Sequence, residues 1–370
     1  MMIPKTIKYF TFFGLFFVKF SCSITTNSPE KKSEVSFDKE FTNKFDMREP
    51  GFTGGDGTYS VELPDGRTVW MFGDTFIGEV TDELTREKTN PMYIRNCFVV
   101  QDDDEMKTLH KGNLEDFISM AVPKEVEFGT KSELEVWFWP GDGIVHNDRL
   151  KVFMSKFHQV NEGMWGFEFL ESVLIEYSLP ELNEVSKTEI PYSMQTGIHF
   201  GHALFQAEEF IYIYGLRDQK PYVARAKTTN LLNDWEFYTG ASWVADISKI
   251  QPMLDINGSE QFSVFKFKNN YIFLTQLGSF SKKVCSFIGK TPYGPWINKQ
   301  VLFETPINYN NEDLFTYNAL AHPQFTNSDG LLVSYNTNSF NLDDHFKNAG
   351  IYKPRFVRVP IDLLFDKKSH

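Results

Sequence analysis

Cysteine is scarce: the chain has three in 370 residues. There is no CxxC pair and no Cys/His cluster, which excludes a structural zinc site of the usual spacing. Neither GxGxxG nor a P-loop occurs, so the common dinucleotide and nucleotide cradles are absent. No apolar run reaches the roughly 20 residues that a membrane-spanning helix needs. Basic residues are also in deficit, with 37 Lys and Arg against 49 Asp and Glu, a net charge of −12. Nucleic-acid binding rests on cations that neutralise phosphates, so a polyanionic partner is excluded. The same deficit disfavours an anionic sugar.

Aromatic residues are abundant, at 16% of the chain and including 37 Phe. That enrichment favours strands over helices. The charged fraction of 23% and apolar fraction of 41% belong to a folded chain rather than a disordered one. Beyond Cys22, only Cys97 and Cys285 remain, either as one disulfide or as two buried free thiols.

The amino terminus reads as an address. Lys5 and Lys8 precede the apolar run Tyr9–Val18, which has the length of a signal-peptide core. Ser21 stands directly before Cys22, and the junction resembles a bacterial lipoprotein cleavage site in which the cysteine is lipidated. Lys19 and Phe20 depart from the usual small-apolar box, and a plain cleaved signal peptide is the alternative. These features predict a signal peptide over residues 1–22 and a polar tether over 23–44. A folded domain over 45–370 follows. They also predict an exported protein of the bacterial envelope that touches membrane only through its lipid.

The body contains five similar units, each a polar residue, a short strand, a tight turn and a second apolar strand. The leading polar residues are Asp56, Asp142, His202, Glu260 and His322, spaced by 86, 60, 58 and 62 residues. The turns carry Asp65-Gly66, Asn147-Asp148, Glu208-Glu209, Asn269-Asn270 and Asp329-Gly330, as hairpins require. A period near 60 with several strands per unit predicts an all-β, five-bladed β-propeller. A pair of β-sandwiches is the runner-up. The longer first interval implies an acidic, partly helical insertion around Gln101–Glu135.

The first hairpin turns between Asp65 and Gly66, which sets Asp56 opposite Asp74 at its open end. Facing residues on adjacent antiparallel strands lie about 4.5–5.5 Å apart between Cα atoms. Two like charges that close raise at least one pKa, as a general acid requires. The first strand of a propeller blade lines the central channel. Asp142, His202, Glu260 and His322 are therefore expected to converge with Asp56 on one mouth. Arg95 and Asn96 either reach that mouth or brace it. Trp137 and Trp139 are either core aromatics or a sugar-stacking platform, and Trp139 is the expected sugar contact of the two.

Several stretches carry a family resemblance. They are Gly54-Gly-Asp-Gly-Thr-Tyr-Ser-Val-Glu-Leu-Pro-Asp-Gly-Arg-Thr-Val-Trp-Met-Phe-Gly-Asp-Thr-Phe, Tyr222-Val-Ala-Arg through Trp235-Glu-Phe-Tyr-Thr-Gly, Thr291-Pro-Tyr-Gly-Pro-Trp, and His322-Pro-Gln-Phe with Leu332-Val-Ser-Tyr-Asn. Together they are similar to bacterial five-bladed propellers long labelled only as a domain of unknown function. Characterised relatives of that group include endo-D-arabinanases. The resemblance implies a glycoside hydrolase acting on a neutral, furanosidic, arabinan-like polysaccharide, with Asp56 and Asp74 as catalytic carboxyls.

The closeness of that pair implies retention of configuration, with Glu260 as a third carboxyl. An inverting mechanism that uses Asp56 with Glu260 across the channel is the alternative. Arg95, Asn96, Trp139, Asp142, His202 and His322 are the expected substrate contacts. A non-catalytic glycan-binding lipoprotein is the rival class. No cofactor is expected, with calcium held by Asp and Asn oxygens as the alternative.

Overall fold

A computed structural model describes residues 34–365, except 49, 114, 164 and 307–311. Five antiparallel sheets of four or five strands are found among the described residues. Their innermost strands are Tyr59–Glu62, Val136–His146, His199–Ala207, Gly258–Phe267 and Leu314–Asn327. Each packs beside the next, and the fifth beside the first, so the ring closes as a five-bladed β-propeller.

Ring closure joins the two ends of the described chain. Blade five takes its outermost strand, Ser36–Phe37, from the amino-terminal side, where it pairs with Arg358 and Val357. Asp38 caps the short helix Lys39–Lys44 by accepting from Phe41 N at 2.9 Å. The same carboxylate, largely shielded from solvent, accepts from the buried Arg358 Nε at 2.7 Å. Phe45 is fully buried against Phe52, Trp70, Phe72 and Phe356. The tether expected over 23–44 therefore ends too late. Residues 36–44 belong to the fold because their strand supplies a missing sheet edge and Phe41 packs in the seam against Trp70, Phe325 and Phe356. The expected signal peptide and Cys22 lie outside the described residues.

The insertion expected to be partly helical holds one helical turn and more strand than helix. It holds the outer strand Glu105–Leu109, a two-stranded pairing of Lys111–Gly112 with Phe117–Ile118, and one helical turn, Lys124–Glu127. Cys97 and Cys285 are both free and buried, in blades one and four. Burial pushes the Cys97 thiol up to about 12.

The feature that positions the site is a β-bulge in the inner strand of blades two to five. Regular pairing breaks between Pro140 and Gly143, between Phe200 and Ala203, between Gly258 and Phe262, and between Tyr317 and Leu320. A bulge leaves extra residues unpaired and re-aims their side chains. Blade one has an equivalent break at Asp56-Gly57-Thr58, between the strands Gly51–Gly55 and Tyr59–Glu62. Gly201 shows why glycine sits in such a bulge: its φ is +110°, and a Cβ would stand 2.3 Å from Phe153 Cβ.

Candidate active site

The bulges carry the chemistry. Residues left unpaired in them include Asp142 in blade two, His202 in blade three, Glu260 in blade four and Asn318 in blade five. Asp56 holds the matching place in blade one. Neighbouring blades are tied at this level. Asp142 Oδ2 accepts from Leu204 N at 2.8 Å, Ser259 Oγ donates to Asn318 Oδ1 at 3.2 Å, and Tyr317 donates its hydroxyl to Asp56 Oδ2 at 2.6 Å.

Asp56 and Asp74 face each other as the hairpin symmetry requires. The register pairs Tyr59 with Met71 and Ser60 with Trp70, and Gly73 N donates to Asp56 O at 2.7 Å. The pair is not at an open end, because pairing resumes beyond it at Gly55 with Thr75 and continues to Gly51 with Gly78. Close approach is enforced by Gly73, where a Cβ would lie 2.6 Å from Asp56 Oδ1.

The two carboxyls have different surroundings. Burial and the Asp74 charge push Asp56 up to about 7, against hydrogen bonds from Tyr317 and Tyr352. Asp74 is engaged on both oxygens. Trp139 Nε1 donates to Oδ1 at 2.7 Å, and Arg95 Nη1 lies 3.4 Å from Oδ1 and 3.3 Å from Oδ2. Arg95 is itself buried over the Trp137 ring, its guanidinium carbon 3.9 Å from the centroid. Burial raises Asp74 as well, against Arg95 and Trp139, which favour its charged form; Asp74 is thus the braced carboxyl of the pair.

Burial also pushes Asp142 up to about 7, although backbone N–H groups of Leu204 and Gly143 favour its charged form. Glu260 stands half-exposed, its carboxyl raised by partial desolvation. His199 lies beside it, with Nδ1 3.9 Å from Glu260 Oε2. Burial lowers His199 to about 4 and His202 to about 3, so both are neutral imidazoles at ordinary pH.

Two expected contacts lie elsewhere. His322 is fully buried, with Nδ1 2.6 Å from Ser60 Oγ and Nε2 2.8 Å from Ser334 Oγ. It is five residues beyond the start of the blade-five bulge, so it packs in the seam against Trp70 rather than at the mouth. Asn96 is also fully buried. It donates to Ala121 O and Phe138 O and accepts from Ala121 N, which makes it a brace between the insertion and blade two.

Three tyrosines were missed. Tyr317 reaches Asp56 from blade five, and Asn338 Nδ2 donates to its hydroxyl at 3.0 Å. Tyr352 also hydrogen-bonds Asp56, from a backbone at φ +65°, a strained conformation for a bulky residue. Tyr59 carries a buried hydroxyl with no partner, in the field of Asp142 and Glu260. Tyr59 was legible as part of the Asp-Gly-Thr-Tyr stretch; nothing local marks the other two.

No curated protein matches the sequence. A solved structure from Bacteroides ovatus ATCC 8483, described as a candidate hydrolase, superposes with a TM-score of 0.78 at 22% identity. The match covers 93% of this chain and 96% of that one, and it shows the same fold. The GH43_1 enzyme from Xanthomonas citri complexed with xylotriose matches with a TM-score of 0.48 at 13% identity, over 85% of this chain and 90% of that one. An exo-beta-1,3-galactanase from Phanerochaete chrysosporium matches at 0.45 and 10%, over 83% and 60%. The model of one sequence family matches residues 38–362, nearly the whole described fold, and the chain accordingly belongs to the family described as a domain of unknown function (DUF5005).

Proposed function

We propose that the protein is a glycoside hydrolase acting on a neutral, furanosidic, arabinan-like glycan, with Asp56 and Glu260 as its working carboxyls. The observation that carries this reading is the placement of three raised carboxyls, Asp56, Asp142 and Glu260, at the bulge positions of blades one, two and four, with Asp142 held by backbone N–H groups and Glu260 half-exposed. Blades one and four meet at the axis, since a Cβ on Gly57 would stand 3.5 Å from Gln261 Nε2. One carboxyl donates a proton to the leaving oxygen while the other takes one from water, which attacks the anomeric carbon from the opposite face. Asp74 is occupied by Arg95 and Trp139, which suits a fixed charge that tunes Asp56 better than a nucleophile. That favours inversion over the retention expected from the hairpin pair alone.

A sugar chain also has a surface to lie on. Trp139 contacts Phe167, and Phe167 contacts the exposed Trp165. Trp165 stands 6.1 Å from the exposed Phe280 of blade four. Exposed aromatic rows of this kind mark binding sites, and ring faces stack on sugars. The same row would serve a non-catalytic glycan binder. Incubation with arabinans, galactans and xylans separates the readings: reducing ends appear with a hydrolase and stay at background with a binder. The amino-terminal pattern supports an exported protein lipidated on Cys22, and membrane association that survives Cys22→Ala refutes that part.

A further inference from the structure

His199, His202 and Glu260 form the one group of three potential metal ligands from His, Cys, Asp and Glu among the described residues, with ligand atoms within 4.8 Å of one another. A second observation makes this more than a cluster. His202 is more than nine-tenths buried, and its Nε2 has no hydrogen-bond partner. Burying an imidazole nitrogen without a partner is costly, and such groups are rare in folded proteins unless a water or ion completes them. His199 is oriented rather than loose, because its ring stacks on Phe169 with centroids 3.7 Å apart. Glu260 Oε2 lies 3.9 Å from its Nδ1, too far for a hydrogen bond.

We propose that these three side chains bind a divalent transition-metal cation of the zinc class. Two imidazoles and one carboxylate are a donor set that suits such ions, whereas calcium prefers oxygen alone. Metal–ligand bonds of about 2.0–2.2 Å place tetrahedral ligands about 3.4 Å apart. The half-exposed Glu260 side chain has the freedom to turn inward and close the remaining gap. Three protein ligands leave the fourth position open toward the mouth. The binding site stands independently of the hydrolase reading. Its consequence rests on that reading: a cation on Glu260 removes the carboxyl from proton transfer, so the metal inhibits.

The test uses the untagged full chain stripped with EDTA. It is titrated with CoCl2 alone, followed by visible absorption, and with ZnCl2 alone by calorimetry. One equivalent is expected to bind. His199→Ala, His202→Ala and Glu260→Gln should each weaken it by about 100-fold or more, since even outer-shell losses cost 10–100-fold. Circular dichroism confirms folding, and the half-exposed Glu260 variant covers the case in which the buried His202 variant unfolds. No binding by the wild-type chain overturns the site, as does binding unaltered in folded His199→Ala and Glu260→Gln. Binding of CaCl2 but not ZnCl2 overturns the metal class. Hydrolysis by the stripped chain reports separately on the enzyme reading, and where it occurs, saturating ZnCl2 should suppress it and EDTA restore it.

Discussion

Tyr317 donates its hydroxyl to Asp56 at 2.6 Å across the seam between the last blade and the first. The bond favours the ionised carboxyl and so opposes the burial that raises it. Tyr317→Phe should therefore raise the Asp56 pKa further and move the matching limb of the pH–kcat/KM profile to higher pH. An unchanged limb, with the fold intact by circular dichroism, would show that Asp56 does not govern turnover.

Asp56→Asn and Glu260→Gln should each lower kcat by about 10²–10⁴-fold, the usual share of one acid or base group. Activated aryl glycosides tell the two apart, because a good leaving group needs no proton and restores only the variant that lost the acid. Asp74→Asn should cost less in rate. It should also shift the Asp56 limb to lower pH, since the charge that raises Asp56 is gone. Rescue of Asp74→Asn by azide with formation of a glycosyl azide would instead establish the retaining hairpin pair.

Asp142 is raised to about 7 in the fold from 3.8, so between pH 4 and 7 the folded state keeps a proton that the unfolded chain releases. Its contribution to stability is therefore lost as pH rises through that window. Asp142→Asn removes the titration. The melting temperature of the variant minus that of wild type should climb between pH 4 and 7 and level off above. The neutral buried histidines are common to both proteins and cancel in the difference. A flat difference would place Asp142 in an ordinary, solvated environment.

The amino-terminal closure should be worth more than its length suggests. Asp38→Ala removes a helix cap and leaves the buried Arg358 without its carboxylate partner. Breaking such a pair costs about 3–5 kcal/mol. Phe45→Ala, which empties a fully buried aromatic site, should cost a similar 3–5 kcal/mol. Chemical denaturation measures both. A change under about 1 kcal/mol in each would mean that the ring holds without its outermost strand.

The propeller and most of the carboxyls were legible because they depend on local pattern. Hairpin turns recur at a regular interval, and the register about Asp65-Gly66 sets Asp56 against Asp74 by counting alone. The phase of blade five was not legible in the same way. His322 precedes a Pro and an apolar strand as a leading residue should, yet the bulge at Tyr317 to Leu320 consumes extra residues and places Asn318 at the mouth instead. A bulge has no reliable local signature, and one slip in phase moves a side chain from the channel to the seam.

By itself, then, the sequence determined the strand-and-turn rhythm, the acidic balance of the chain, and the opposition of two aspartates on one hairpin. Tertiary structure alone decided what each carboxyl faces. Arg95 and Trp139 come to Asp74 from beyond its hairpin, Tyr317 comes to Asp56 from the far end of the chain, and His199 stands beside Glu260 only because blades three and four are adjacent. The physical reason is that protonation state depends on burial and on charges within a few ångströms. In a closed ring, those neighbours include residues such as Tyr317, 261 positions from Asp56 along the chain.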